Sequence, residues 1–405
     1  MEVEMAGTEF LKKDETIRLF ALGGLDEDGK NMLVIEIDGD IYIVESGLKF
    51  PDFKGALGVE CIVPDFTYLK EHEDRIQGIL ITHGHDDVMG ALPYLLKEIK
   101  ADVYVSPFTF GVVNELLKKN HITGARLKVV RQKETRRIGG RQVIFFPVTH
   151  SYPQTYGFGI QTAHGYIVYS GEFIADYDDF SDAYHGDYSF ATRFKNDGVF
   201  ILLQDSKSAD RPLHTAPKHK VSDHFDKLLS DYEKRRVFVE IYTQSVYRIQ
   251  EMIQCCIEHH RKICFYTKEI QHLVTLLQSV MDPIPAELIV TEDQIDQLDD
   301  VVVIISGQGR QLFQLMSNIA NSEVDNIEIR ESDVFVVATP LVPGVENDFK
   351  NMENDIYKKE GTIIKIDRDV KGMHPSKEDL KMVIYMTEPK YYIPIKGASR
   401  MPSSA

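Results

Sequence analysis

Strand-length apolar runs, each closed by glycine, proline or a polar cluster, recur along this chain and predict layered strands and helices. Thr16–Leu22, Met32–Ile37 and Ile41–Val44 read as strands in close succession, the first two separated by Gly23-Gly24 and a polar DEDGKN loop. Ile79–Ile81 is a fourth, broken by Thr82-His83-Gly84-His85-Asp86-Asp87. Apolar residues at helical spacing then run from about Met89 to Ile99, and Val103–Val105 follows as a strand. This β-α-β alternation predicts an α/β layer. Val143–Val148 ends at Thr149-His150-Ser151, Tyr166–Tyr169 at Ser170-Gly171-Glu172, and Val199–Leu203 at Gln204-Asp205-Ser206. From about Ala209 the pattern changes to repeated strand-helix units. Val237–Ile241, Ile263–Tyr266, Ala286–Val290, Val301–Ile305 and Val334–Val337 read as strands. A helix over Tyr247–His259 carries Ile249, Met252, Ile253, Cys256 and Ile257 on one face. The alternation predicts a small doubly wound parallel sheet.

Composition narrows this picture. At 405 residues the chain is long enough for two or three domains, and 43% hydrophobic with 27% charged residues is globular rather than disordered. The longest apolar runs are of strand length and the N-terminus lacks a signal-peptide core, so no membrane association is expected. Cys61, Cys255, Cys256 and Cys264 form no spaced framework and read as reduced thiols of a cytoplasmic protein. A net charge of −17 argues against broad adhesion to nucleic acid, so an RNA ligand would need a local basic channel. The densest basic run, Arg126, Lys128, Arg131, Lys133, Arg136, Arg137 and Arg141, reads as a phosphate-contact strip or as a solvated hairpin face.

The chemistry concentrates after Ile81. Two histidines two residues apart in a turn, with an aspartate two further on, aim several donors at one point beyond a strand end. His150 and Glu172 likewise stand at strand ends. The THGHDD segment resembles the His-x-His-x-Asp-His signature of the metallo-β-lactamase superfamily, and GILITHGHDDVMGALPYLL resembles the ribonuclease J branch of its β-CASP nucleases. GLKFPDFKGALGVECIVPDFTYLKE, Gly47 to Glu71, is similar to the corresponding loop of that family. The resemblance implies a metallo-β-lactamase αββα sandwich, an α/β fold, with an inserted β-CASP domain. Residues 1–208 would form the first part of the sandwich, 209–358 the insertion, and 359–405 the return, ending at Ala405 before the family's C-terminal domain.

Carried over position by position, the resemblance gives a first cation His83, His85 and His150 with Glu172 as bridge, where the family has aspartate. The second cation would keep Asp87 and Glu172, but Val88 and Lys396 stand where its two histidines belong. Zinc or manganese, one ion at most, is therefore expected, with Lys396 pairing with Asp87 and Glu172 in place of the second. Glu45 stands where an aspartate supports the site from behind. Asp87 and His374 occupy catalytic positions. Ser306, Gly307, Gln308, Pro343, Gly344, His374 and Ser376 fall in segments at which the family grips RNA, although Val246 and Arg310 replace the usual Asn and Glu there.

These residues imply a weak 5′-3′ exoribonuclease and endoribonuclease of RNA processing and decay. The alternative is a non-catalytic RNA-binding subunit that tunes an active paralogue, since the family often occurs as pairs and this chain resembles the degenerate second member. RNA, that paralogue and a second copy of the chain are the expected partners. Hydrolysis of a β-lactam or thioester is permitted by the superfamily fold, but the β-CASP-like insertion argues against it.

Overall fold

In the computed structural model, which describes residues 14–51, 58–178, 180–324, 327–338, 345–366, 370 and 372–397, the early strands build a six-stranded sheet. Its members are β1 (Ile17–Gly23), β2 (Met32–Ile37), β3 (Asp40–Val44), β4 (Ile76–Leu80), β5 (Asp102–Val105) and β6 (Arg126–Val129), side by side in that order. The first three run antiparallel and the rest parallel. A second sheet holds β7 (Thr135–Ile138), β8 (Arg141–Pro147), β9 (Tyr156–Thr162), β10 (Gly165–Tyr169) and β11 (Val199–Asp205).

Strand periodicity explains how the two sheets meet. In β2, Leu33, Ile35 and Ile37 face the second sheet beside Phe145, Phe158 and Ile167, while Met32 and Val34 face the helices outside. Those outer helices are α1 (Thr67–Glu71), α2 (Asp86–Met89), α3 (Leu92–Glu98) and α4 (Pro107–Lys119); α5 (Ser189–Asp197) covers the far face of the second sheet. The helix expected over Met89–Ile99 is split between α2 and α3, because Pro93 in the first turn of α3 starts a new helix rather than continuing the old one. β9, YGFGIQT, is not among the strands that the apolar runs predict, because two glycines interrupt its apolar positions. Its glycines are there for space: a Cβ on Gly157 or Gly159 would lie 2.4 Å from the ring of Phe146 or Phe194.

The inserted lobe is a five-stranded, all-parallel sheet of β12 (Val237–Tyr242), β13 (Lys262–Phe265), β14 (Val301–Gly307), β15 (Val334–Val337) and β16 (Thr362–Lys365), in the order β13-β14-β12-β15-β16. Helices α6 (Ser222–Asp231), α7 (Val246–Glu258) and α8 (Lys268–Leu277) pack on one face, α9 (Gly309–Ala320) and α10 (Glu346–Lys358) on the other. The strand expected at Ala286–Val290 is instead a 3₁₀ turn, Ala286–Leu288, with a single bridge from Ile289 to Ile263. Pro283 and Pro285, which lack N–H donors, open that segment. β16 lies beyond residue 358, where the sequence reading placed the return to the sandwich, yet it is the edge strand of this sheet. The chain then returns through α11 (Lys377–Thr387) and β17 (Tyr391–Ile395), which pairs with β11 and completes the second sheet. The result is helix, sheet, sheet, helix, with a three-layered parallel lobe inserted between β11 and β17. No helix among the described residues is long and apolar enough to cross a membrane.

The basic run divides between both sheets, and much of it meets acids: Arg126 and Lys128 with Asp102, Lys133 with Asp187, Arg136 with Glu134, and Arg141 with Glu15. A paired cation is a weaker claimant for phosphate than a bare one.

One buried acid of the inserted lobe carries a pH signature. Glu251 on α7 accepts the N–H groups of Val221 and Ser222 at the amino end of α6, at 3.0 and 3.1 Å. Burial nevertheless pushes its carboxyl up to about 7, against those hydrogen bonds. The folded value lies above the ordinary 4.5, so the stability tied to its neutral form is full below that value and lost as pH rises through about 7. Relative to Glu251→Gln, the wild type should lose on the order of 3 kcal/mol between about pH 5 and about pH 8 in denaturant titrations. Equal pH slopes for the two proteins would refute this.

Candidate metal centre

β3, β4, β8, β10, β11 and β17 bring their carboxyl ends to one edge of the sandwich. Glu45, His83, His150, Glu172, Asp205 and Lys396 lie on or just beyond those ends. His85 follows His83 at the amino end of α2. Gly84 separates the two imidazoles because a Cβ there would stand 2.5 Å from the Tyr152 ring, which packs edge-on to His85 at a centroid distance of 4.9 Å.

Hydrogen bonds behind the imidazoles fix which nitrogens carry protons. His150 Nδ1 lies 2.8 Å from the carbonyl oxygen of Met373, so it donates there and leaves Nε2 as a lone pair. His85 Nε2 faces the Gln244 carbonyl at 3.1 Å and therefore leaves Nδ1 bare. Thr82 Oγ1 donates to Glu45 at 2.7 Å and accepts from His83 Nδ1 at 2.9 Å, so His83 Nε2 is bare as well. Burial and the neighbouring His85 hold His83 far below its ordinary range. Burial brings His150 down to about 4 in spite of Glu172. Both are neutral near pH 7.

Three imidazole lone pairs thus converge with one carboxylate oxygen, all within 4.8 Å of one another. His83 Nε2 and His85 Nδ1 stand 2.9 Å apart with no proton left to share. His150 Nε2, fully buried and 3.1 Å from Glu172 Oε2, makes no hydrogen bond. Orphaned donors of this kind are what a tetrahedral divalent cation satisfies, so the residues fit one ion.

The other side of Glu172 differs. Its Oε1 accepts from Lys396 Nζ at 2.5 Å, and both side chains are almost wholly buried. Burial opposes charge on each group, but the pairing outweighs it, holding Glu172 well below the carboxylate range and Lys396 well above the ordinary ammonium range. Glu45 and Lys396 both adopt left-handed backbone, with φ of 63° and 64°. For non-glycine residues this costs about 1–3 kcal/mol each, and it turns both side chains into the same interior. Burial pushes Glu45 up to about 7, against the attraction of Lys396 and two bonds from Thr82.

The expected pairing of Lys396 with Asp87 is not what the geometry shows. Asn31 Nδ2 takes the Asp87 carboxylate at 2.9 Å, and among the described residues the ion-pair partner of Lys396 is Glu172. Val88 is fully buried in the helix-facing core and offers no donor. His374 enters from the loop before α11: its Nδ1 donates to Asp205 Oδ2 at 2.8 Å and lies 3.7 Å from Glu172. Burial disfavours its charge, but Asp205 and Glu172 prevail and raise it. Asp205 escaped selection as a site residue, although its position at a strand end was the same signal that marked Glu172.

The lobes meet at this site. Asp86 Oδ2 accepts from Gln244 Nε2 at 2.7 Å and from Gln308 Nε2 at 2.9 Å, both at carboxyl ends of the inserted sheet, where β12 lies between β14 and β15. Ser151 adds a backbone bond to Tyr247 at 3.0 Å. Of the residues expected to grip RNA, Gln308 is therefore tied to Asp86. Ser306 is buried against Thr243 at 2.9 Å, and the Gly307 carbonyl accepts the Thr243 N–H. Ser376 is buried as the amino cap of α11, with Oγ 2.8 Å from Thr215. Pro343 and Gly344 lie outside the described residues.

Two family models match the chain: the beta-lactamase superfamily domain over residues 62–187 and the ribonuclease J beta-CASP domain over residues 234–356. Over 399 residues the chain is 29% identical to Ribonuclease J 2 of Staphylococcus aureus strain NCTC 8325 / PS 47, covering 96% of this chain and 70% of that protein. The same identity and coverage hold for Ribonuclease J 2 of Staphylococcus epidermidis. A crystal structure of a protein of unknown function from Enterococcus faecalis V583 superposes with a TM-score of 0.64 over 96% of this chain and 95% of that one. At 14% identity this likeness speaks for the fold.

The ion pair yields a test in chelator. Lys396→Met leaves a buried carboxylate without its counter-ion and should destabilise the protein by about 3 kcal/mol. Adding Glu172→Gln should recover most of that loss in denaturant titrations. A single variant as stable as the wild type would show that the pair is not needed to hold Glu172 in place.

Proposed function

The chain belongs to the ribonuclease J family, and from that premise we propose that it binds RNA and hydrolyses it slowly, from the 5′ end and internally, with a single cation. The observation that carries this reading is the set of three bare imidazole nitrogens and one carboxylate oxygen within 4.8 Å, bounded on its far side by an ammonium. A bound divalent ion supplies Lewis-acid polarisation of a phosphate oxygen and a more acidic water. The chain's own residues do the rest. Asp205 and Glu172 favour the protonated form of His374 against its burial, and with Nδ1 given to Asp205 an Nε2 proton faces away from that carboxylate, where it can pass to a leaving oxygen. Lys396 holds a fixed charge where the family has a second cation, and unlike an ion it has no exchangeable water to offer as nucleophile.

That same ammonium favours a second reading, in which the chain is a non-catalytic subunit that holds RNA for an active paralogue.

Metal analysis of the purified protein should give one zinc or manganese per chain, lost in His85→Ala. Manganese-dependent degradation of a 5′-monophosphorylated RNA should vanish in the same variant and rise in Val88→His with Lys396→His. Two ions per chain would overturn the single-cation reading. Absence of turnover at stoichiometric protein would leave the subunit reading, which requires that mixing with an active paralogue give more activity than the paralogue alone. Failure of the two to associate would remove that reading.

A further inference from the structure

A second ammonium lies beside the Asp205–His374 pair and is not among the four residues of the cation cluster. Lys207 follows Asp205 by two residues. Its backbone N–H donates to Asp205 Oδ1 at 2.9 Å, while the other oxygen of that carboxylate holds His374. Its Nζ meets Asp28 Oδ1 at 2.8 Å, and Asp28 is its one carboxylate partner among the described residues. Asp28 comes from the opposite sheet, at the tip of the polar loop between β1 and β2. The stem of that loop is pinned: Glu27 pairs with Lys30 and Lys49 and bridges to Gly397, the Lys30 N–H reaches the Leu48 carbonyl, and Asn31 holds Asp87. Asp28 carries its carboxylate across the opening to Lys207.

The two lysine pairs at this site contrast. Lys396 and Glu172 are 5% and 1% exposed, a permanent buried pair. Lys207 and Asp28 are 32% and 71% exposed, so water and other anions reach them. Ion pairs at that exposure are weak and exchangeable. The other carboxylates of the cleft are already engaged: Asp87 by Asn31, Glu172 by Lys396, Asp205 by His374. A phosphodiester presents an ammonium with the same two-oxygen anion as a carboxylate, and Lys207 shares the Asp205 carboxylate with His374.

We propose that Lys207 binds an RNA phosphate beside the Asp205–His374 pair and that Asp28 occupies its ammonium in the free protein, so that the exposed Asp28 side chain, on an otherwise anchored loop, acts as a displaceable anionic gate. This rests on the reading of the site as an RNA site. It makes the free protein self-screened: a phosphate gains the Lys207 contact only by evicting Asp28, and binding is weaker by the strength of the pair it breaks.

The test measures binding of a 5′-monophosphorylated single-stranded RNA to the whole chain by fluorescence anisotropy in chelator, so that cleavage does not intervene. Asp28→Asn should tighten binding on the order of threefold, the factor set by one exposed ion pair. Lys207→Gln should weaken it and lower the slope of log affinity against log salt by about one. The double variant should show none of the gain. Asp299→Asn, which removes one negative charge far from the cleft, controls for net charge and should leave affinity unchanged. A gain that persists without Lys207, or appears equally in Asp299→Asn, would overturn the gate, as would unchanged binding in Asp28→Asn. Inorganic phosphate, titrated against the same variants by ³¹P line broadening, separates the two claims. If no variant binds RNA but Asp28→Asn gains phosphate through Lys207, the RNA reading fails and the gate stands; if neither probe responds, the gate fails.

Discussion

Glu172 has two oxygens, and the site is arranged around the different company they keep. Oε2 faces three imidazoles whose outer partners have turned their lone pairs inward; Oε1 is held by the Lys396 ammonium. A buried carboxylate is costly unless charge compensates it, and Lys396 compensates it at all times, whether or not an ion is bound opposite. The carboxylate therefore remains ionised and oriented toward the histidines. The constraint runs outward from there. Lys396 must leave β17 through a left-handed turn, Glu45 must do the same beyond β3, and Thr82 must relay between Glu45 and His83.

A lysine in this position substitutes for part of what a cation does. It neutralises, and it positions a carboxylate through a directional hydrogen bond. It has no open coordination place, so it neither activates water nor grips two phosphate oxygens at once. The arrangement is asymmetric: three imidazoles and one carboxylate oxygen converge on one side, and the Lys396 ammonium fills the other.

The imidazoles and Glu172 were legible in the sequence because each follows an apolar strand within a few residues, and strand ends on one edge are where α/β proteins place their chemistry. The tautomers were not legible, since they depend on carbonyls from Met373 and Gln244, far along the chain. Asp86 was read as part of a motif, but its partners Gln244 and Gln308 are 158 and 222 residues away, and only the folded lobes reveal it as the point where they join. Asp87 was expected opposite Lys396 and belongs to Asn31 instead, a bond across 56 residues. Most strands were readable as short apolar runs closed by turn residues. β9 was not, because aromatic rings from neighbouring elements fill the space of the side chains its glycines lack.

The insertion between β11 and β17 has a consequence for assembly. These strands are neighbours in one sheet, yet the hydrogen bond from Ser206 to Ile395 closes a loop of 189 residues. Long closures are entropically slow and form late. Asp205 arrives on one side of that seam and Lys396 on the other, so Glu172 gains its permanent counter-ion only when the chain has returned across the insertion. A nascent sandwich without that lobe carries a buried acid with no cation to answer it, which ties the maturation of the pocket to the completion of a domain that contributes none of its imidazoles.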